Sequence, residues 1–239
     1  QMRNERLELV KLIGDEELED VLVDIQKAYP DYDLKRLYEK FSTMSKEGQS
    51  LKDRIALLTR SSAELTTKEE PNWERIAGRL LSYSIACDLK ATEEKLGLTS
   101  FYHKISYMIE QGLYGAYILE NYSHKEVDEI ATLIDNTRNN LFTYSGLDLL
   151  SQRYLIRSHQ HVLLESPQEM YIGIAMHLAM KETNDRIGWV KKFYDMMSLH
   201  QVTMATPTQA NARKPYHQLS SCFIDTVPDS LDGIYHSIS

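Results

Sequence analysis

A helical hydrophobic period recurs from the start of this chain to about residue 200, with few residues able to break it. Leu18, Val21, Leu22 and Ile25 fall at i, i+3, i+4 and i+7, which puts them on one helix face. That segment opens at Asp15 after Gly14 and stops at Pro30, so a helix is predicted over 15–29. Comparable stretches predict helices over 4–13 and 34–45, and another from Ser50 carrying Ile55, Leu58 and Leu65. After the charged break Lys68-Glu69-Glu70-Pro71-Asn72-Trp73, a long helix is predicted through Ile76, Leu80, Tyr83 and Cys87, with two more near 100–113 and 123–135. Ten Gly and six Pro in 239 residues are too few to punctuate a sandwich of short strands. The expected class is therefore mainly α, with eight to ten helices before residue 200.

The sharpest local signal lies at Ser166-Pro167-Gln168-Glu169. It reads as a capping box with Pro in the first turn: the serine oxygen accepts from the Glu169 N–H and the glutamate reaches back to the cap. The helix behind it carries Tyr171, Ile174, Ala175 and Leu178. A partner near 184–199 carries Ile187, Trp189, Val190, Phe193, Tyr194 and Met197. Upstream, Tyr154–Arg157 and Val162–Leu164 are ambiguous, with short extended pieces as one reading. Past Val202 the period is lost. Ala205-Thr206-Pro207-Thr208-Gln209-Ala210-Asn211, on to Pro215, reads as a loop; Gln218–Asp225 reads as a buried strand; and Asp229 caps a new helix start within 228–234. The predicted organisation is a helical domain over 1–200 and the beginning of a strand-and-helix unit over 201–239. One strand leaves its own backbone groups unpaired, so this end requires more chain or a partner.

Composition narrows the function classes. A net charge of −8 excludes a nucleic-acid sheath or an anionic membrane surface, which need clustered Lys and Arg. No apolar run approaches the ~20 residues that span a bilayer, and Gln1-Met2-Arg3-Asn4 has no apolar core behind it to act as a secretory signal. Two cysteines, Cys87 and Cys222, make no disulfide framework, and a reducing cytoplasm is the expected setting. His159 and His161, at i and i+2, would share a strand face, but no Cys, Asp or Glu stands at ligand spacing, so no metal site is expected. Tyr102, Tyr107, Tyr114 and Tyr117 read as core or interface.

Three co-linear runs carry a more specific signal: Met204-Ala205-Thr206-Pro207-Thr208, then Gln218-Leu219-Ser220-Ser221-Cys222-Phe223, then Asp229-Ser230-Leu231-Asp232-Gly233-Ile234. Together they resemble the opening of the ten-stranded α/β barrel of class I ribonucleotide reductase large, catalytic subunits. Upstream support comes from Arg153-Tyr154-Leu155, Leu164-Glu165-Ser166-Pro167-Gln168-Glu169-Met170, and Phe193-Tyr194-Asp195 with Ser198; the match loosens back to about residue 50. The resemblance implies an N-terminal helical domain leading into the first strand and helix start of that barrel. It implies radical reduction of ribonucleotides to 2′-deoxyribonucleotides for DNA synthesis.

By the same resemblance Cys222 is one half of the redox-active cysteine pair, and Thr206 and Ser221 contact the substrate nucleotide. Asp229, Ser230 and Leu231 begin the site for a regulatory nucleotide, a deoxynucleoside triphosphate or ATP. The implied partners are the remainder of the large subunit, a second copy of it, a small radical-generating subunit, and a thioredoxin- or glutaredoxin-type reductant. No cofactor is expected in this segment, and the family's basic, Gly-containing ATP-cone signature is not found in these residues. With the second redox cysteine and the radical cysteine not among them, the 239 residues alone are expected to be inactive. Read without the resemblance, Cys222 is a small core residue, Asp229 a helix cap and Thr206-Pro207 a turn. The alternative function is then a non-catalytic helical interaction module.

Overall fold

The computed structural model describes residues 2–215, and the expected strand at 218–225 and helix start at 228–234 lie outside them. Among the described residues the chain is helical, with a single isolated antiparallel bridge, Arg157 to Leu163. It divides into two compact units, one formed by the chain up to Cys87 with Phe142–Leu149, the other by Asp88–Leu141 and the chain from Leu150 onward.

In the first unit, α1 (Met2–Ile13), α2 (Leu18–Ala28), α3 (Leu34–Met44) and α4 (Leu51–Glu64) precede α5 (Trp73–Leu96). The predicted faces meet in one core: Leu18, Leu22 and Ile25 pack with Leu9, Ile13, Leu37, Phe41, Leu58, Trp73, Ile76 and Leu80. Local chemistry sets the ends. Asp33 accepts from Lys35 N–H and Ser50 from Asp53 N–H, each satisfying an orphan donor of a first turn. Helix α2 starts three residues later than expected. Gly14 takes φ +82°, and the Asp15 carboxylate turns to accept from Glu17 N–H before the helix begins. Arg54 Nε donates to Ile13 O at 2.8 Å, closing the C-terminus of α1. A Cβ at Gly78 would stand 2.9 Å from Phe142 O, so only glycine admits that close approach.

The second unit takes the end of α5 with α6 (Phe101–Glu110), α7 (Ala116–Asn121), α8 (His124–Ala131), a 3-10 turn over Asn136–Leu141, the end of α9 (Tyr144–Arg153), α10 (Pro167–Ala179), α11 (Arg186–Ser198) and α12 (Thr206–Asn211). The described residues thus hold twelve α-helices, eleven of them before residue 200, where eight to ten were expected. The additional ones include α7, six residues long, and α9. A helix as short as α7 cannot display its period. The helix expected over 123–135 ends at Ala131, and Asp135 accepts from the N–H and hydroxyl of Thr137, which holds the 3-10 turn instead.

Helix α10 lies at the centre of this unit, with ten of its thirteen residues buried, as suits a helix apolar on every side. Its capping box is present as read: Ser166 Oγ accepts from Glu169 N–H at 3.1 Å and Glu169 accepts from Ser166 N–H at 2.9 Å. Gln168 is fully buried but satisfied, donating to Asn139 at 2.7 Å and accepting from the Tyr194 hydroxyl at 2.7 Å. The Tyr194 hydroxyl in turn accepts from Asp135 N–H, and Arg138 lies over the Tyr194 ring while bonding Asp195 and Ser198. The run Phe193-Tyr194-Asp195 with Ser198 thus ties the 3-10 turn to α10 and α11.

Lys104 on α6 is 4% exposed and its ammonium donates to Glu93 and Glu169, each at 2.7 Å. Burial opposes its charge, and the Glu169 carboxylate with Glu93 outweighs that and holds its pKa above the usual lysine value. Lys104→Met should destabilise the chain by about 2–3 kcal/mol. This is below the ~3–5 kcal/mol of a fully enclosed pair because Glu93 is 34% exposed. The measurement is a urea midpoint at unchanged slope; an unaltered midpoint would show that the lysine adds nothing.

Candidate functional site

Thr206 is the one predicted site residue within the described part of the chain, and it opens α12 with Pro207 in the first turn. The stretch was expected to be a loop. Proline in a first turn forfeits no hydrogen bond, and six residues show no period, so the sequence hides this helix. Thr206 is exposed, while Thr208, two residues on, is fully buried with its hydroxyl unpartnered among the described residues.

The end of α12 is held by Arg213, which is 0% exposed and stands at φ +70°. Its guanidinium makes a two-pronged contact with Glu165, Nε to Oε2 at 2.7 Å and Nη2 to Oε1 at 2.6 Å. The remaining donors reach Gln209 O, Ala212 O and Tyr154 O, at 3.2, 2.9 and 3.0 Å. All of these are acceptors that the end of a helix or a turn would otherwise leave open. Arg213 O accepts from Gly115 N–H at 2.7 Å, and Arg213 N–H points at His177 Nδ1 at 3.5 Å. The same nitrogen of His177 lies 2.8 Å from the Tyr117 hydroxyl.

The electrostatics follow from enclosure. Burial disfavours the Arg213 charge, but the facing Glu165 carboxylate, by charge and hydrogen bond, raises its pKa above the ordinary arginine value. Burial likewise pushes the Tyr114 hydroxyl far up, helped by the Glu165 charge, and that hydroxyl has no hydrogen-bond partner among the described residues. Lys214 goes the other way. Burial first, then the neighbouring Arg213 charge, lower it from the usual 10.5 to about 8.

The other predicted site residues, Ser221, Cys222, Asp229, Ser230 and Leu231, lie outside the described residues. Cys87 is half-buried on α5. His159 and His161 do not share a strand face: His159 lies in a turn, with Nε2 2.9 Å from Gln111 O, and His161 follows it at φ +67°. The Ser158 hydroxyl and carbonyl hold that turn by accepting from Gln160, Val162 and His161 N–H. No cluster of three His, Cys, Asp or Glu able to hold a metal occurs among the described residues, and none of their helices is long and apolar enough to cross a membrane. Sequence reasoning missed the Glu165–Arg213 pair. Its only trace is an acid closing the apolar run Val162-Leu163-Leu164 and an arginine that is the first cation after Lys192.

Two outcomes follow. Glu165→Gln leaves a guanidinium buried without its counter-charge and should cost about 3–5 kcal/mol. Adding Arg213→Met should recover part of that loss, read as a coupling in a double-mutant cycle of urea midpoints; strict additivity would mean the charges do not interact. Lys214, whose folded value lies below its unfolded one, weighs against folding wherever it must be charged, most fully below pH 8. Lys214→Met should therefore raise the melting temperature at pH 7, with the gain fading to nothing as the pH climbs towards about 10.5. A gain that persists at that pH would have another cause.

Comparison with known proteins bears on what this arrangement belongs to. Residues 140–217 match the ribonucleotide reductase all-alpha domain, a stretch holding α10, α11, α12, Glu165 and Arg213. The ribonucleoside-diphosphate reductase subunit alpha of Treponema pallidum is 54% identical over 220 residues, which is 91% of this chain and 26% of that one. The subunit of the same name from Enterobacteria phage T4 is 31% identical over 83% of this chain and 26% of its own length. Ribonucleoside-diphosphate reductase 1 subunit alpha of Escherichia coli (strain K12) is 28% identical over 79% of this chain and 25% of its own length. The chain thus spans about a quarter of the length of the curated relatives it matches. With the identities running through both helical units, the chain belongs to the ribonucleotide reductase alpha-subunit family.

Proposed function

We propose that this chain is the part of a ribonucleoside-diphosphate reductase large subunit that carries its helical domain and the first substrate and redox residues. The observation that supports this is the setting of the motif-bearing segment. Thr206 stands exposed at the head of a helix whose other end is enclosed by a buried, fully hydrogen-bonded ion pair. A contact to a small polar substrate needs such a rigid mount, because a small misplacement is costly in rate.

In this reading Thr206 and Ser221 bind the ribonucleotide and Cys222 is one of two thiols that reduce it. The two thiols lose two electrons and two protons as their S–S bond forms. The ribose C2′–O bond breaks, C2′ gains hydrogen, and the oxygen leaves as water. A small partner subunit supplies the radical that starts the cycle, and a thioredoxin- or glutaredoxin-type dithiol reopens the disulfide. Asp229, Ser230 and Leu231 contribute one wall of the regulatory nucleotide site. The second redox cysteine must come within disulfide reach, with Cα atoms about 4.4–6.8 Å apart. It belongs to the longer subunit, so the 239 residues alone are inactive.

Cys222→Ser in the complete subunit is the test. Serine is close in volume and follows Ser220 and Ser221, so folding and substrate binding should persist while multiple turnovers vanish. An inert core cysteine makes the opposite forecast, a loss on the order of 1 kcal/mol with turnover retained. Turnover number and melting temperature on the same variant separate the two, and full multi-turnover activity would remove the redox assignment.

A further inference from the structure

We propose that Arg213 is a positioning residue for the substrate-contact segment: without touching substrate, it sets the place and direction of α12 and hence of Thr206. The proposal rests on the reductase reading above. Three independent features of the structure converge on it. First, the guanidinium does two tasks at once. It closes the C-terminal carbonyls of α12 through Gln209 O and Ala212 O, and it fastens that end to Glu165. Second, the backbone of the same residue is gripped from the other side, its carbonyl accepting from Gly115 N–H at 2.7 Å. Third, Arg213 holds a left-handed φ of +70°, a conformation uncommon for a branched-free but bulky side chain, which persists only where the surroundings over-determine it.

A residue needed only to fill space would not require all three. Any other placement of α12 leaves Glu165, 1% exposed at its side chain, without its counter-charge. Intermediate positions are therefore disfavoured, and α12 has one seat. Gly173 on α10 preserves that seat. A Cβ there would come within 2.5 Å of the Tyr114 hydroxyl and 2.8 Å of Arg213 Cδ. Both atoms belong to buried side chains, so a methyl group at this position must displace the arginine stem and costs packing, whatever it adds in helix propensity.

The experiment uses the complete subunit with its radical-generating partner, a ribonucleoside diphosphate and dithiol reductant. Three variants are compared: Arg213→Lys, Gly173→Ala and the redox control Cys222→Ser. Arg213→Lys keeps a cation but loses the fork. Its KM for the ribonucleotide should rise roughly tenfold or more, the scale expected of a displaced binding group. Gly173→Ala should raise KM by a smaller factor, alongside a lower melting temperature that still leaves the subunit folded under assay. A merely structural role predicts the lower melting temperature and fewer active molecules, but with KM unchanged. An unchanged KM in both variants, with Cys222→Ser inactive, overturns the positioning role alone; if Arg213→Lys does not fold, Gly173→Ala decides by the same criterion. Retained multi-turnover activity in Cys222→Ser overturns the underlying reading, and this proposal with it.

Discussion

Arg213 and Glu165 are 0% and 1% exposed at their side chains, and each meets the other's charge directly through two hydrogen bonds. Bringing two ions out of water is costly, and their attraction in the interior repays that only when the geometry is good and the remaining donors are bonded. Here the fork is two-pronged and the other guanidinium donors all reach carbonyls, while Glu165 also accepts from Ile156 N–H at 3.1 Å. Such a pair adds little net stability compared with an apolar pair of the same volume. Its consequence is discrimination: arrangements that separate the two charges are heavily disfavoured, so the chain after α11 has one way to return to α10.

Helix α10 translates this constraint to the rest of its unit. Neighbouring positions on it serve different contacts. Gln168 joins Asn139 and Tyr194, Glu169 caps its own helix and receives Lys104, and Gly173 leaves room for Tyr114 and Arg213. Gln168 and Glu169 are each satisfied by a partner distant in sequence, a condition under which polar networks specify one arrangement of a core. The first unit is organised differently. Its core is almost wholly apolar, and its polar contacts, such as Asn72 N–H to the Tyr32 hydroxyl and Ser62 to Trp73 O, attach loops and helix ends to that core.

Under the proposed reading the contribution of the helical body is mechanical, to hold a short helix, with the exposed Thr206 at its head, at a defined place. Proximity of that kind can be worth several kcal/mol of barrier when the reacting groups are aligned.

Most helices could be read directly from the residues, because their information is local. The face Leu18, Val21, Leu22 and Ile25, the serine–glutamate box at 166–169 and the stop at Pro30 each act within a turn or two. The family resemblance was likewise legible as short co-linear runs, and the match of residues 140–217 falls across several of them. What escaped reading depends on partners far along the chain. Helix α12 was hidden because six residues have no period and because its seat comes from Glu165, 48 positions earlier. The cap at Glu169 was predictable from its spacing to Ser166, whereas its second bond, to Lys104 at 65 residues' separation, was not. The sequence by itself determined the longer helices and which face of each is apolar, since period and caps are properties of neighbours. Only the tertiary structure decided where the charges go, because a buried ion has to meet its counter-ion in space, and nothing in the local pattern names which one.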